Sequence, residues 1–262
     1  MQRAPAPRAK TPPWTPIRDP DGRYSTGIRD FDHLLDGGFP RGCLALYRMD
    51  DTVTRTDLDL LLFPSLLNLL YQSRGVLAVL PSRDSPREFR SRLTRYVTRR
   101  RFDSRVRIID YVGEDEGPKY VVSLKFVGED EAAHKRGARV RSADVAKMEA
   151  AERAVQGHRR RAFLELYSFE VLDTLVGPEQ ARRMFFVGIK RARSVGNLMI
   201  GLLGPGLASE AGVRRMADLE FELHRGDLGL TIRGVQPSFA PHLVTPDRSD
   251  AMPHVSFAPS PS

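Results

Sequence analysis

The stretch that most constrains this chain is residues 25–56, where a lead-in, a turn, a buried strand and a helix start follow one another without a gap. The lead-in reads Ser25-Thr26-Gly27-Ile28-Arg29-Asp30-Phe31-Asp32. Gly37-Gly38-Phe39-Pro40-Arg41-Gly42 then marks a tight turn, because its glycines and proline supply backbone angles that other residues resist. Cys43-Leu44-Ala45-Leu46-Tyr47 is a continuous apolar run of the kind that a parallel strand buried on both faces requires. After a polar loop, Leu58, Leu61, Leu62, Leu66, Leu69 and Leu70 recur at helical spacing, and Pro64 is expected to kink or restart that helix. Strand, loop and helix in this order open a βαβ unit, which commits the chain to the α/β class.

The remainder repeats the alternation. Residues 75–80 form a second buried strand ended by Pro81, and Ser85-Pro86 opens a helix expected to run to about Arg100. Strands follow at residues 106–112, 162–168 and 197–203, with helices at 142–156 and 177–195. Residues 219–223 and 228–233 flank Arg225-Gly226-Asp227 as a hairpin. This pattern predicts a mostly parallel sheet with helices on both faces and an antiparallel end. Val-Gly-Glu-Asp-Glu occurs at 112–116 and again at 127–131, too short for a structural repeat and read as acidic surface turns. Residues 1–20 hold six prolines, and residues 246–262 have a similar composition. Both are expected to be solvated tails around a folded domain at 21–245, with Trp14 able to touch it.

The wording of residues 25–42, together with the strand and helix order, resembles the KaiC/RadA branch of the RecA-superfamily ATPases over about residues 24–247. The resemblance implies a RecA-like three-layer sandwich with a phosphate-binding loop, G-x-x-x-x-G-K-[ST], after the first strand. That pattern falls on Met49, Asp50, Asp51, Thr52, Val53, Thr54, Arg55 and Thr56. Met49 and Thr54 take the glycine places, Arg55 takes the lysine place, and Thr56 keeps the hydroxyl. Residues with a Cβ oppose the turn that glycine permits, and Asp50 and Asp51 put negative charge where a triphosphate would sit.

Three further stations of the resemblance are altered. A Glu-Glu-Ser-Pro segment is replaced by Arg83-Asp84-Ser85-Pro86, leaving Asp84 as the candidate base. Glu165 is the nearest counterpart of a Walker-B carboxylate. Arg233-Gly234 keeps half of a Lys-x-Arg-Gly segment that reaches the neighbouring subunit. A retained fold with abandoned hydrolysis is implied, so no catalytic residue and no cofactor is expected, with ATP and Mg2+ entering only if the altered loop functions. The expected role is a regulatory or assembly partner, as a homo-oligomer or a hetero-oligomer with a RecA/KaiC-like ATPase. Two alternatives stand beside it: an ATPase with an unusual loop, and a DNA-binding recombination or repair accessory.

The net charge of +8 fits an anionic partner such as nucleic acid. Arg95, Arg99, Arg100, Arg101, Arg105 and Arg107 precede or open one strand, and Arg159, Arg160 and Arg161 precede another. The starts of parallel strands share one sheet edge, so the clusters are expected on the face opposite the loop, as an anion-binding patch or as a solvated face. A single cysteine, Cys43, rules out an internal disulfide framework, and the six histidines lack metal-ligand spacing. No stretch approaches the roughly 20 apolar residues of a membrane span, and a cytoplasmic location is expected.

Overall fold

The computed structural model describes residues 14–111, 117–124, 126–127, 139–140, 142–157, 161–247 and 252–261. Its centre is a ten-stranded sheet. Seven strands run parallel, in the spatial order β11 (Leu219–Gly226), β3 (Leu44–Met49), β10 (Leu198–Leu203), β9 (Leu164–Ser168), β4 (Val76–Val79), β5 (Val106–Asp110) and β6 (Val121–Ser123). Beyond β11 the sheet continues antiparallel through β12 (Gly229–Gln236), β13 (Phe239–Pro246) and β14 (Val255–Pro259). Two small ribbons accompany it: β1 (Arg23–Tyr24) with β2 (Phe39–Pro40), and β7 (Phe126–Val127) with β8 (Arg139–Val140).

Alternate strand residues serve opposite layers, as the two-residue period of a strand demands. Ala45 and Tyr47 of β3 join the larger core with α1 (Arg29–Leu34), α2 (Arg55–Tyr71), α3 (Pro86–Leu93) and α4 (Arg99–Arg105). Leu44 and Leu46 face the other layer, which includes α6 (Phe169–Val176) and α7 (Pro178–Val195). Leu77 and Val79 of β4 pack there with α5 (Ser142–Gln156). The short α8 (Glu210–Arg214) follows β10. The fold is a RecA-like three-layer α/β sandwich with an antiparallel end.

The lead-in acts as a strap over α2. Gly27 has φ +79°, and a Cβ there would lie 2.3 Å from the Pro64 carbonyl oxygen. Ser65 Oγ donates to the Thr26 carbonyl at 2.6 Å, and Asn68 Nδ2 donates to that of Ser25 at 3.3 Å. Asp32 closes the strap, accepting from Thr26 N at 2.6 Å and from Ser25 Oγ at 2.5 Å. Gly38 has φ +103°, and a Cβ there would meet the Tyr24 carbonyl oxygen at 2.3 Å. The glycines and the aspartate of the sequence signature are thus explained by close backbone approach.

Several local expectations change. Pro64 is accommodated within one continuous α2, fully buried against the lead-in. The helix opened by Ser85 ends at Leu93, and Thr98 caps a separate α4 by accepting from Arg101 N at 3.2 Å. Residues 14–20 are docked in place of lying free: Trp14 is buried and stacks on His254, Ile17 exchanges hydrogen bonds with Asn68, and Asp19 pairs with Arg74. Residues 1–13 lie outside the described residues, as do both acidic pentapeptides except Val127. The expected tail from 246 supplies β14, because Phe257 fills the space beside Phe31 and its N–H donates to Asp30 at 2.9 Å. Charge and proline density hid that strand.

Glu165, on β9, is the buried carboxylate of the second layer. Burial drives its pKa up to about 7, against hydrogen bonds from Asn197 Nδ2 at 2.7 Å and Tyr167 OH at 3.0 Å that favour the ionised form.

Two stability predictions follow from these contacts. Gly38→Ala should cost about 3 kcal/mol or more in denaturant unfolding, since it adds a clash to an unfavourable φ. Gly22→Ala, with φ +73° and open space around it, should cost only the ~1–2 kcal/mol of the backbone conformation. For Glu165, the folded state keeps a proton that the unfolded chain has already released, so its contribution to stability falls as pH rises from about 4.3 to about 7. Glu165→Gln should therefore raise stability by about 3 kcal/mol at pH 8 and change it little below pH ~4.5, as read by urea titration at the two pH values.

Candidate functional site

Open parallel sheets bind ligands beyond the carboxyl ends of their strands. Here a cleft of about 470 Å³ opens at the ends of β3, β4, β9 and β10. Its apolar floor includes Leu58, Leu62, Phe89, Leu166 and Leu202, and its polar rim holds Asp50, Asp51, Arg55, Asp59, Arg83, Asp84 and Glu170. Of the loop residues, Met49, Asp50, Asp51, Val53 and Arg55 line this cleft together with Asp84. Thr52, Thr54 and Thr56 are exposed and lie outside its lining.

The loop is closed by its own side chains. Asp50 Oδ1 accepts from Thr52 N at 2.9 Å and from the Thr52 hydroxyl, while its other oxygen meets His224 Nδ1 at 2.5 Å. Burial raises the Asp50 pKa, yet these hydrogen bonds outweigh it and hold the carboxyl below its ordinary value. Thr54 is the N-cap of α2 and forms a reciprocal box with Asp57: Asp57 N donates to Thr54 Oγ1 at 3.3 Å, and Thr54 N donates to Asp57 Oδ2 at 2.9 Å. Asp57 is buried and also pairs with Arg225. The Arg225 N–H donates to Thr52 Oγ1 at 2.8 Å, so the β11–β12 hairpin is fastened to the loop at three points.

Arg55 turns to the rim, pairing with Asp84 and lying 3.7 Å from Glu88. Arg92 approaches from α3, with Nη2 at 3.0 Å from Asp84 and Nε at 2.8 Å from Asp59. Asp84 is therefore clamped between two guanidinium groups. Both of its oxygens are thereby engaged by cations of the chain itself. Glu165 does not join the site: it lies on the opposite face of β9, and the cleft-facing side chains of that strand are Leu166 and Ser168.

Arg233 is occupied within its own chain. It pairs with Glu222, which Arg48 Nη1 meets at 2.7 Å; Arg48 also reaches Glu220 at 3.1 Å and Glu210 at 3.3 Å. Arg214 completes this network at 2.8 Å from Glu220.

The basic clusters are partly absorbed into the scaffold. Arg105 Nη1 donates to the Ser73 carbonyl at 2.5 Å and Arg161 Nη1 to that of Gln72 at 3.0 Å, which brings the two clusters to the same turn. Arg101 lies over the Tyr71 ring at 4.2 Å, and Arg107 donates to the carbonyls of Asp103 and Val106. Arg99 and Arg100 are exposed, while Arg159 and Arg160 lie outside the described residues. Among the described residues no group of three or more His, Cys, Asp or Glu is placed to hold a metal ion, and no helix is long and apolar enough to cross a membrane.

Sequence reasoning missed Asp57, Arg92, His224 and Arg225. Thr54-x-x-Asp57 does carry a capping signature. The other three are joined to the loop only by folding.

Comparison with known proteins adds two kinds of likeness. A family profile described as GvpD basic region 2 matches residues 13–133. The Protein GvpD2 of Halobacterium salinarum is 25% identical over 246 residues, covering 93% of this chain and 48% of that protein. The Protein GvpD1 of the same organism is 30% identical over 109 residues, 41% of this chain and 20% of that protein. The chain thus spans about half the length of GvpD2. Among solved structures, the uncharacterized protein PH0321 from Pyrococcus horikoshii, crystallised with an unknown peptide, superposes with a TM-score of 0.63 at 16% identity, covering 91% of this chain and 100% of that one. The KaiC-like protein PH0186 from Pyrococcus horikoshii superposes with a TM-score of 0.56 at 15% identity, covering 93% and 100%. These neighbours and the strand order agree on the fold: a RecA-like α/β sandwich of the kind that the KaiC-like protein PH0186 adopts.

Proposed function

We propose that this chain is a regulatory RecA-like protein that does not turn over ATP and acts through association with related proteins. The observation that carries this reading is the loop at residues 49–57. A phosphate loop gains affinity from free backbone N–H groups, a helix N-terminus and one cation acting together. Here the N–H groups of Thr52, Thr54 and Asp57 already donate to Asp50, Asp57 and Thr54. Arg55, the cation of the loop, is committed to Asp84. A polyanion entering this cleft would have to displace carboxylates that are covalently part of the wall and would meet Asp51 unscreened at the rim. Thr56, the one hydroxyl suited to magnesium, lies outside the cleft lining.

A second reading, nucleic-acid binding, is favoured by the match to a profile described as a basic region and by the exposure of Arg99 and Arg100. Weighing against it, Arg101, Arg105, Arg107 and Arg161 have partners inside the chain.

Millimolar ATP with magnesium should leave the melting temperature unchanged and give no measurable hydrolysis. A rise corresponding to a dissociation constant well below millimolar, RT ln(1 + [L]/Kd), that disappears in Thr56→Ala or Arg55→Ala would overturn the first reading. Duplex DNA titrated in about 50 and 200 mM salt separates the second. Binding that weakens steeply with salt and is reduced in Arg99→Ala/Arg100→Ala would establish it, and salt-insensitive or absent binding would remove it.

A further inference from the structure

Among the described residues, three of the five exposed large apolar side chains lie on one helix, α7: Phe186 at 48% exposure, Val187 at 66% and Val195 at 50%. The helix buries its opposite side through Ala181, Phe185, Ile189 and Ala192 against the second layer, so its register is fixed. Arg182, Phe186 and Lys190 then stand at i, i+4 and i+8, forming one outward stripe, with Arg183 and Val187 beside it. Lys190 Nζ sits over the Phe186 ring at 4.4 Å.

The charges around this stripe are of two kinds. Arg191 is held by Glu152 at 2.9 Å, and Arg193 by Asp218 at 2.9 Å. Arg183 meets Glu179 at 2.6 Å, in a pair where both side chains are more than two-thirds exposed and water competes freely. Among the described residues Arg182 and Lys190 have no carboxylate partner, and the Arg182 stem lies against Gly212 of α8. The face therefore presents a cation on either side of an aromatic ring, and of these residue types the aromatic and the arginine are enriched at protein interfaces.

We propose that this face of α7 docks an acidic amphipathic helix of a partner protein. The spacing specifies the partner: from Arg182 to Lys190 the helix rises about 12 Å, so a helix carrying a carboxylate, an apolar residue and a carboxylate at i, i+4 and i+8 meets all three positions. Two other polyanions fit less well. Phe186 and Val187 gain nothing against the phosphates of a duplex or of a lipid headgroup layer, whereas the apolar residue of a helix stripe removes them from water. The surface lies away from the cleft and stands whether or not the loop binds nucleotide.

The probe is a labelled synthetic peptide of about eighteen residues carrying a Glu-Leu-Glu stripe at i, i+4 and i+8, titrated by fluorescence anisotropy against the full chain. Its comparators are a scrambled peptide of equal composition, a short DNA duplex and anionic phosphatidylserine vesicles. The stripe peptide should bind at least about tenfold more tightly than the scramble. Phe186→Ser/Val187→Ser should remove that preference while the circular dichroism and melting temperature stay unchanged. Arg182→Glu/Lys190→Glu should abolish binding, and a peptide with lysines in place of the glutamates should restore it. Equal affinity for stripe and scramble, failure of the charge-swapped pair to recover binding, or a tighter complex with duplex or vesicles that the same substitutions weaken would each overturn the proposal.

Discussion

A helix that starts at the carboxyl edge of a buried sheet leaves its first N–H groups facing a cleft, and each of those groups needs an acceptor. In a phosphate-binding loop the ligand provides one. Here α2 starts with Thr54 and Asp57 serving each other, and the preceding loop closes on Asp50. Asp57 is buried, so its charge demands a cation, and Arg225 supplies it from the far end of β11. The need to satisfy one helix terminus thus ties the loop to the hairpin, although the two are 168 residues apart in sequence. The chain thus satisfies, with its own side chains, the place where a phosphate-binding loop admits its ligand.

The basic composition is used in a similar way. Arginine offers five donors in a planar fork, which suits it to gather carbonyls and carboxylates that a folded backbone leaves over. Arg23 donates to the carbonyls of Leu35 and Gly38, at 3.0 and 2.9 Å, and so holds the glycine turn. Arg48 gathers three glutamates at the end of β3. A charge of +8 therefore says less about an anionic partner than its size suggests, because many of its arginines are internal structural donors. Among the described residues, the exposed cations outside any ion pair include Arg83, Arg87, Arg99 and Arg100, and Arg182 and Lys190 on the outer face of α7.

The lead-in shows how much of a site can be read locally. Gly27, Gly38 and Asp32 were visible as a signature, and each is required by a contact within the strap and α2. Asp84 was visible as a candidate base, but its clamping by Arg55 and Arg92 depends on how α3 folds back over α2. Glu165 had the right chemistry at the wrong parity: one residue along a strand exchanges the two faces, and sequence offset alone could not choose between them.

The sequence by itself determined the α/β class, the first strand, the start of α2 and the glycines of the turn, because apolar periodicity and positive φ are properties of neighbouring residues. It also carried the carboxylates and hydroxyls that close the loop at residues 50–57. Only the tertiary structure decided that residues 14–20 dock on α2, that residues 255–259 form an edge strand, and that Arg233 and Arg225 are spent within the chain. Those outcomes depend on which strands become neighbours: β3 lies beside β11, so Arg48 meets Glu222 across 174 residues of chain. No local pattern encodes such a pairing, since the attraction arises only after the sheet order has brought the charges within reach.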